Sequence, residues 1–446
     1  MKKFKIILFA ILTALCFTFV GCSGGGNGGE GGSGSGEGSG GGSNPGGSSS
    51  GVPTATITED LGYHGLKDIK DGNVVPVALD IEGFSGDAVN VWVNSVKLNE
   101  FELDNYGDFI SIQADAFTIG DDKKIILETT EEVYEYTIDI ATFIIDSADD
   151  LNNSDKTLLL PIANVGGAKN AAGTDSQSDW DGYFILGNDI NFSGAEIKNY
   201  VNNGNGGSST RLHGFKGIID GRGHALKNFS TRYSLFGHSL STAVFKNLHI
   251  TDFEIIGTSG GDPGFGIFGS HAEGRLENVY IDGTMARTHL SDTDGTAGPD
   301  YQGLLGRYLK FSSMKNCTFV ARTKDGSDIQ KSQLALSTFC NSNIECENVL
   351  ILTDMQVSNT LKNKSGVKVV PLADVPTWGA GGGLDYPLIL TATKVLKGGK
   401  DITSKLVLDP QRPNCHSMPY SEIEENTLYF IYYAEGLYIV KFSIAR

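Results

Sequence analysis

Residues 245–250 read Phe245-Lys246-Asn247-Leu248-His249-Ile250, and this short pattern recurs along the middle of the chain. Each copy has an apolar residue, a charged residue, an asparagine and another apolar or aromatic residue. The asparagines of the five copies are Asn228, Asn247, Asn278, Asn316 and Asn348. Upstream of several copies lies a second pattern, found as Leu235-Phe236-Gly237, Ile267-Phe268-Gly269 and Leu304-Leu305-Gly306. Repeats that are too short to bury a face alone predict a solenoid.

Short strands and a near-absence of helical periodicity predict a β-solenoid with parallel strands stacked along one axis. We expect each repeat asparagine to be buried at one turn of a coil and to hydrogen-bond along the axis. A glycine after the Leu-Phe pair allows a tight corner. The alternative is that the asparagines mark unrelated exposed turns, and the paired recurrence of the two patterns argues against it. The residues expected to face inward are Ile218, Leu235, Phe268, Leu305 and Val349.

Residues 264–269, Gly-Phe-Gly-Ile-Phe-Gly, followed by Gly274-Arg275-Leu276-Glu277-Asn278, resemble the GLUG repeat of bacterial surface proteins. Residues 183–194 and 214–224 resemble the first coil of the parallel β-helices that such repeats accompany. The resemblance covers about 145–365 and implies a right-handed, pectate-lyase-like parallel β-helix. Adhesins, glycan lyases and hydrolases share this scaffold, so the resemblance implies no particular activity.

The amino terminus predicts export. A basic start, Met1–Lys5, precedes an apolar stretch from Ile6 to Val20, as in a secretory signal peptide. The end of this stretch, Phe19-Val20-Gly21-Cys22, resembles a lipobox, which implies a signal peptide at 1–21 and a lipidated Cys22. Residues 22–51 then form a Gly/Ser-rich tether. We expect a lipoprotein in the cell envelope, facing outside the cytoplasm; an ordinary signal peptide with Cys22 as a bystander is the alternative.

The net charge of −18 makes the chain poorly suited to binding nucleic acid or anionic lipid by charge. It suits neutral ligands, cations or basic partners better. No second hydrophobic run reaches transmembrane length.

Two smaller β modules are predicted to flank the solenoid. Alternating strands over 52–144 predict a β-sandwich, and its closing strand resembles that of bacterial Ig-like modules. The solenoid is assigned to 145–370, with a helical cap that begins at Ser147. A Gly/Pro linker at 371–386 leads to a second Ig-like module at 387–446, expected to dock on the last coil. The strands expected in the first module are Val74–Ile81, Val89–Leu98, Ile110–Ala114, Lys124–Leu127 and Tyr134–Ile140.

Insertions in the solenoid are the predicted ligand-binding region. Each falls just before an equivalent strand, so that stacking brings them to one side of the helix; they are 164–181, 200–213, 256–263, 286–302 and 321–333. Carboxylates, amides and aromatic rings together suit a sugar ligand. Solvated loops rich in turn-forming residues are the alternative. The candidate ligand-binding residues are Trp180, Asp181, Arg211, His213, Asp262, His289, Asp294, Asp300 and Tyr301.

The sequence contains no recognisable motif of catalytic residues. Asp220, Asp292 and Asp294 are weak catalytic candidates, and Asp220 sits in a turn where capping of a backbone N–H is the ordinary role. No cofactor or metal site is assigned, and Ca²⁺ is left open because the spacing at 292–295 matches a fragment of a Ca²⁺ loop. Cys340 and Cys346 flank a short turn and are the most plausible disulfide pair.

Three functions remain open. The favoured one is a surface-anchored adhesin or glycan-binding protein whose partner is a polysaccharide or a host or cell-surface glycan or protein. The second is a polysaccharide lyase or glycoside hydrolase that uses carboxylates on the same face. The third is a structural protein of the cell envelope. The membrane is a partner through the lipid, and nucleic acid is not expected.

Overall fold

The computed structural model describes residues 51–70, 73–103, 109–148, 150, 182–197, 215–231, 235–236, 239–256, 266–269, 271–286, 303–306, 308–324, 334–337, 339–380, 388–390, 392–409, 412–434 and 436–444. Within these ranges the protein is all-β, as predicted. Its helical segments there are short: α1 at Asn359–Lys362 and 3-10 turns at Ala114–Ala116, Leu372–Asp374, Thr403–Lys405 and Tyr420–Glu422. None of the helices in these ranges has the length and apolar composition needed to cross a membrane.

The N-terminal module consists of two sheets that share one core. Its strands are β1 (Ile57–Lys70), β2 (Asn73–Pro76), β3 (Leu79–Glu82), β4 (Ala88–Val93), β5 (Val96–Lys97), β6 (Glu102–Leu103), β7 (Phe109–Ile112), β8 (Gly120–Thr129) and β9 (Val133–Ile145). Strands β3, β6 and β7 form the smaller sheet. Alternate residues of β9, such as Tyr136, Ile138 and Ile140, are buried between the sheets with Ile81 and Ile110. Three predicted strands correspond to β7, β8 and β9. Val74–Ile81 is divided between β2 and β3, and Val89–Leu98 is the hairpin of β4 and β5; β1 and β6 were not predicted.

Strand β9 continues out of this module. Its residues 133–140 pair antiparallel with β8, and Phe143–Ile145 pair in parallel with β10 (Tyr183–Leu186). A single sheet therefore runs from the N-terminal module into the middle of the chain.

Beyond β10, successive strands alternate between two parallel stacks. The first stack is β10, β12 (Ile218–Asp220), β14 (Val244–Lys246), β16 (His271–Glu277), β18 (Tyr308–Lys315), β20 (Phe339–Cys340) and β21 (Glu345–Glu347). The second stack is β11 (Ile190–Ile197), β13 (Ala225–Thr231), β15 (His249–Ile256), β17 (Tyr280–Ala286), β19 (Thr318–Thr323), β22 (Val349–Thr353) and β23 (Val367–Val370). Parallel stacks with alternating strands are consistent with the predicted solenoid.

The second sequence pattern forms a ladder of its own. The backbone N–H of Leu235 donates to the carbonyl of Ile267, that of Ile267 to Leu304, and that of Leu304 to Ala335, each at 3.0 Å. Gly269, at the end of one copy, has a φ of 91°, which only glycine adopts without strain. The prediction of a glycine corner is therefore confirmed at this copy.

One continuous apolar core fills the space between the stacks. Four of the five residues predicted to face inward belong to it, namely Leu235, Phe268, Leu305 and Val349. The prediction for Ile218 was wrong: it packs against Tyr183 on the other face of the first stack, and its neighbour Ile219 is the buried one. Because side chains alternate along a strand, an error of one residue reverses the face.

The ends of the core are closed by local segments. At the first end, the backbone N–H of Asp150 donates to the Ser147 hydroxyl, which is the capping contact predicted there. The other residues of the predicted helical cap lie outside the described residues. At the other end Ser358 caps α1, and Leu361 of α1 enters the core. The segment that closes this end is therefore α1 and not the C-terminal module.

The C-terminal module contains two small sheets. Its strands are β24 (Thr377–Ala380), β25 (Leu388–Leu390), β26 (Lys394–Lys397), β27 (Lys400–Asp401), β28 (Val407–Asp409), β29 (Arg412–Ser417), β30 (Tyr429–Tyr433) and β31 (Gly436–Ile444). The predicted hairpin is present as β30 and β31. The module packs against the outer face of the second stack, where Phe430 and Leu428 contact Tyr280, Val320 and Leu350 in one cluster. It was expected on the last coil; the apolar side chains that draw it to the outer face belong to Tyr280, Val320 and Leu350.

The predicted Cys340–Cys346 disulfide is not formed. Both residues are free thiols, as is Cys317. Cys340 pairs with Leu309 and Cys346 with Met314 on β18. These partners lie five residues apart on β18, on either side of a bulge, so the two cysteines belong to separate short strands, β20 and β21.

Candidate functional site

The repeat asparagines line up at the corner between the two stacks. Asn278 donates to Asn247, Asn316 to Asn278 and Asn348 to Asn316, with side-chain N–O distances of 3.0–3.1 Å. Each of the four has a φ between 51° and 55°, a conformation that asparagine tolerates better than most residues. We call Asn247, Asn278, Asn316 and Asn348 the asparagine column.

Two predictions about these asparagines were wrong. Asn278, Asn316 and Asn348 are exposed and Asn247 is half-buried, so the column lies on the surface and not inside the coils. Asn228 does not belong to it: this residue lies within β13 and donates instead to Asn191 of β11, at 3.1 Å. The prediction of hydrogen bonds along the axis is confirmed for the other four.

Surface exposure gives the asparagine column free hydrogen-bonding capacity. An asparagine side chain has two N–H donors and two acceptor lone pairs. A bond to the coil on each side uses one donor and one lone pair of an internal member such as Asn278. Each internal rung therefore keeps one donor and one acceptor for another partner.

A second line of side chains runs beside the asparagine column. His249, Tyr280, Thr318 and Leu350 occupy equivalent positions on successive strands of the second stack, two residues after each asparagine. The next residue of each strand, such as Ile250 or Ile281, is buried in the core. The four side chains therefore point outward, and we call them the outer row.

The asparagine column and the outer row form the floor of a cleft of about 1090 Å³. One wall comes from the N-terminal module, through Asp121, Asp122 and Asp139. Asp220, Arg222 and Gly223 extend it along the first stack. The opposite wall comes from the C-terminal module, through Lys394, Leu396, Gly399, Lys400, Asp401, Tyr432 and Leu437. Three parts of the chain thus surround one elongated cleft.

Asp220 and Lys246 form a charged group at one end of this cleft. Lys246 Nζ lies 2.8 Å from Asp121 Oδ2 and 3.2 Å from Asp220 Oδ2. Burial opposes the charge of Lys246, but these two carboxylates outweigh it and hold the pKa of Lys246 above its ordinary value. Burial also opposes the charge of Asp121, whose pKa is nevertheless held low by its hydrogen bond with Lys246.

Asp220 has a structural role in this group. Its Oδ1 accepts from the backbone N–H of Arg222 and from the side chain of Asn247, both at 3.0 Å. Its Oδ2 accepts from the Tyr183 hydroxyl at 3.2 Å. The side chain therefore caps the turn, as its position in the repeat suggested, and begins the asparagine column.

Arg222 makes a second connection to the N-terminal module. Its guanidinium lies 2.6 Å from Asp139 Oδ2 and stacks over the ring of Tyr63 at 5.0 Å. Together with Lys246 and Asp121, this pair attaches the first coils to β8 and β9. Most charges at this end of the cleft are consequently neutralised within the protein.

His249 is the histidine of the floor. Burial lowers its pKa to about 4; Lys400 and His224 act in the same direction, and Asp189 opposes them. Its ring meets Tyr280 edge to face, with centroids 5.9 Å apart. At neutral pH this imidazole is therefore uncharged.

Tyr280 connects the floor with the C-terminal wall. Its ring meets Phe430 edge to face at 6.0 Å, and its hydroxyl donates to Asp282 at 3.2 Å. Gly399 lies directly on this ring, and a methyl group added at Gly399 would overlap it. The width of the cleft at Tyr280 thus depends on a residue without a side chain.

The predicted ligand-binding residues fall elsewhere in the chain. Trp180, Asp181, Arg211, His213, Asp262, His289, Asp294, Asp300 and Tyr301 lie outside the described residues, as do Asp292 and Cys22. Four of the five insertions connect a second-stack strand to the next first-stack strand, whereas the asparagine column lies at the opposite connections.

Sequence reasoning missed the outer row and the C-terminal wall. The outer row carries a signal in the sequence, because residues two positions after each column asparagine vary in type while those three positions after are Ile or Phe. In the described ranges, no three His, Cys, Asp or Glu side chains are grouped to hold a metal ion. Comparison with protein-family models, curated proteins and solved structures finds no match.

Proposed function

We propose that the chain is a surface-anchored bacterial glycan-binding protein, an adhesin whose two stacks are the sides of a right-handed parallel β-helix. In this proposal Ig-like modules flank the helix, Cys22 carries the lipid, and the cleft beside the asparagine column holds an extended glycan. The observation that carries it is the row of exposed amides at equal steps along that cleft.

The spacing of the amides suits a chain of sugars lying along the axis. Neighbouring parallel strands are about 4.8 Å apart, so the line from Asp220 through the asparagine column to Asn348 extends over roughly 19 Å. Amide donors and acceptors match hydroxyl groups, which also both donate and accept. A concave site with a few polar groups between apolar side chains, here Leu350, Leu396 and Leu437, is typical of ligand sites.

Charge supports a non-catalytic role in the cleft. A glycosidase needs two carboxyl groups about 5–10 Å apart, one of them protonated at working pH. Asp121, Asp139 and Asp220 lie at one end of the cleft, and each accepts from Lys246 or Arg222. Burial opposes the charge of Asp121, but its hydrogen bond with Lys246 holds its pKa low. Asp139 and Asp220 are engaged in ion pairs, so binding fits the site better than acid catalysis.

The test is to measure binding of the purified full chain to immobilised polysaccharides, with a reducing-sugar assay run in parallel. Thr318→Trp would fill the cleft from the outer row and is expected to abolish retention. Ser230→Trp on β13, outside the lining of the cleft, is the matched control and should leave retention unchanged. Retention of no polysaccharide would overturn the proposal, and release of sugar ends would favour an enzyme.

Anchoring has a separate test. Replacement of Cys22 by serine removes the thiol that would carry the lipid. In a bacterial host that processes lipoproteins, wild-type protein should fractionate with membranes and Cys22→Ser should not. Equal fractionation of the two would contradict the anchor and leave the binding proposal intact.

A further inference from the structure

His249 occupies a distinct position in the floor of the cleft. It follows the corner residue Leu248 on β15 and is the first member of the outer row. On the neighbouring coils it lies opposite Ala225 and Tyr280. The tyrosine covers one side of the imidazole, whereas the alanine presents only a methyl group. The ring is half-buried and lines the cleft.

The ring nitrogens of His249 have no hydrogen bond to another side chain or carbonyl within the described part of the chain. A neutral imidazole provides one N–H donor and one unprotonated nitrogen acceptor. The imidazole of His249 lines the cleft, and both of its nitrogens can therefore hydrogen-bond to a group of the ligand. The half-buried amide of Asn247, two residues away, supplies a second polar contact at the same level of the cleft.

The charges of the residues that line the cleft nearly balance, because Arg222, Lys246, Lys394 and Lys400 face five aspartates. Lys246 is shared by Asp121 and Asp220, Arg222 pairs with Asp139, and Lys394 pairs with Asp401 at 3.7 Å. At three of the four basic residues of the lining, a carboxylated sugar would have to compete with these internal partners. A ligand without charge meets the amides and the imidazole and disturbs no ion pair.

We propose that His249 selects an uncharged glycan by accepting a hydrogen bond from one of its hydroxyl groups at the Asp220 end of the asparagine column. This inference rests on the proposed function and assigns the ligand class of the same cleft. The Tyr280 ring holds the imidazole in place, so that its acceptor nitrogen is oriented before the ligand arrives. Preorganisation of this kind lowers the entropy lost on binding.

Protonation should switch this contact off. The charged and titratable groups that influence His249 are Asp189, His224 and Lys400. Burial and the last two keep the pKa of His249 near 4, so its acceptor nitrogen remains free at pH 5 and above. Below that pH the ring gains a proton and offers only donors. Binding should therefore be constant from pH 7 to 5 and weaken as the pH passes about 4.

The probes are soluble gluco-, manno-, xylo- and galacto-oligosaccharides, with oligogalacturonate as the carboxylated counterpart of the last. Titration calorimetry compares the full-length wild-type protein with His249→Phe and His249→Gln, each checked for a native circular dichroism spectrum. His249→Phe keeps a ring against Tyr280 but cannot accept, and should bind the preferred neutral probe about tenfold more weakly. His249→Gln retains an acceptor and should stay within about threefold.

Burial opposes the charge of the nearby Asp189, but its hydrogen bond with Lys227 holds the pKa of that carboxyl below its ordinary value. The pH series on the variants separates the protonation of His249 from that of such carboxylates. His249→Gln should lack the part of the loss that belongs to the imidazole. Equal binding by wild type and His249→Phe would overturn this inference while leaving glycan binding in place. Tighter binding of oligogalacturonate than of galacto-oligosaccharides would overturn the neutral ligand class. Binding of no probe at all would overturn the proposed function itself.

Discussion

The side-chain amide of Asn278 donates to the side-chain oxygen of Asn247 at 3.0 Å, although 31 residues separate them in the sequence. Each of the two also adopts a left-handed backbone conformation, with φ of 55° and 51°. The same residue type therefore meets two needs of the corner: it tolerates the backbone turn, and it connects one coil to the next.

Replacement of Asn278 should separate these two contributions. Asn278→Gly removes the side-chain hydrogen bonds and keeps the backbone conformation without strain, at an expected cost of about 1 kcal/mol. Asn278→Ala adds the strain of a left-handed alanine, for a total of about 2 kcal/mol. Urea denaturation of the two variants measures the difference. Equal losses would show that the backbone conformation contributes nothing at this corner.

Lys246 should contribute more to the stability of the fold than Lys315, which occupies the equivalent position two coils further along. The positions in register from Asp220 are Lys246, Glu277, Lys315 and Glu347, so charges alternate along the axis. Lys246→Met leaves the buried carboxylate of Asp220 without its cation and should cost about 2 kcal/mol. Lys315→Met, whose side chain is 49% exposed and pairs with Glu347, should cost below about 0.5 kcal/mol. Similar losses in thermal denaturation would contradict this ranking.

Gly399 should control the attachment of the C-terminal module. Gly399→Ala introduces a methyl group against the ring of Tyr280 and strains a backbone with φ of 86°. Gly83→Ala has the same backbone strain, at φ of 87°, but no atom lies within 4 Å of the added methyl group. We expect about 1 kcal/mol from strain alone in the control and a larger loss at Gly399. Limited proteolysis should detach the module faster in Gly399→Ala only; equal rates would refute the contact.

His249 should make the stability depend on pH. Its pKa is about 4 in the folded chain, below the ordinary value of 6.5, so the unfolded chain takes up a proton first as the pH falls. Stability should thus be highest above pH 6.5 and decrease toward pH 4, by up to about 3 kcal/mol from this residue. His249→Gln should flatten the decrease in urea unfolding between pH 7 and 4.5. His64, whose pKa burial also lowers, accounts for part of the remaining slope.

The stacking could be predicted from sequence because it imposes local requirements. Leu276 and Val279 are both buried, and the two residues between them, Glu277 and Asn278, form the outer part of the corner. Apolar, charged, asparagine, apolar is the order that such a corner requires. The inside position assigned to the asparagine was wrong because two inward residues already fill that space. The same sequence pattern surrounds Asn228, but this residue lies within β13. The pairing of β13 with β11 has a bulge there and no corner.

The cleft could not be predicted, because its walls are distant in sequence. Asp121, Lys246 and Lys400 approach one floor only after both flanking modules have packed on the stacks. The docking of the C-terminal module depends on a cluster formed by several strands, from Tyr280 to Phe430. No local pattern encodes which outward face of a repeat will be covered. Lys246 and Asp121 are 125 residues apart, so the repeat pattern could not predict their ion pair either.

The continuity of β9 with β10 has a consequence for the order of folding. Phe143–Ile145 offer backbone groups in register with Phe184–Leu186, so a completed N-terminal module exposes a ready template for the first parallel pairing. Parallel pairing is slow when distant segments must first meet. During synthesis the N-terminal module emerges first. Later strands then add one at a time to an existing edge, and each addition closes a loop of only one coil.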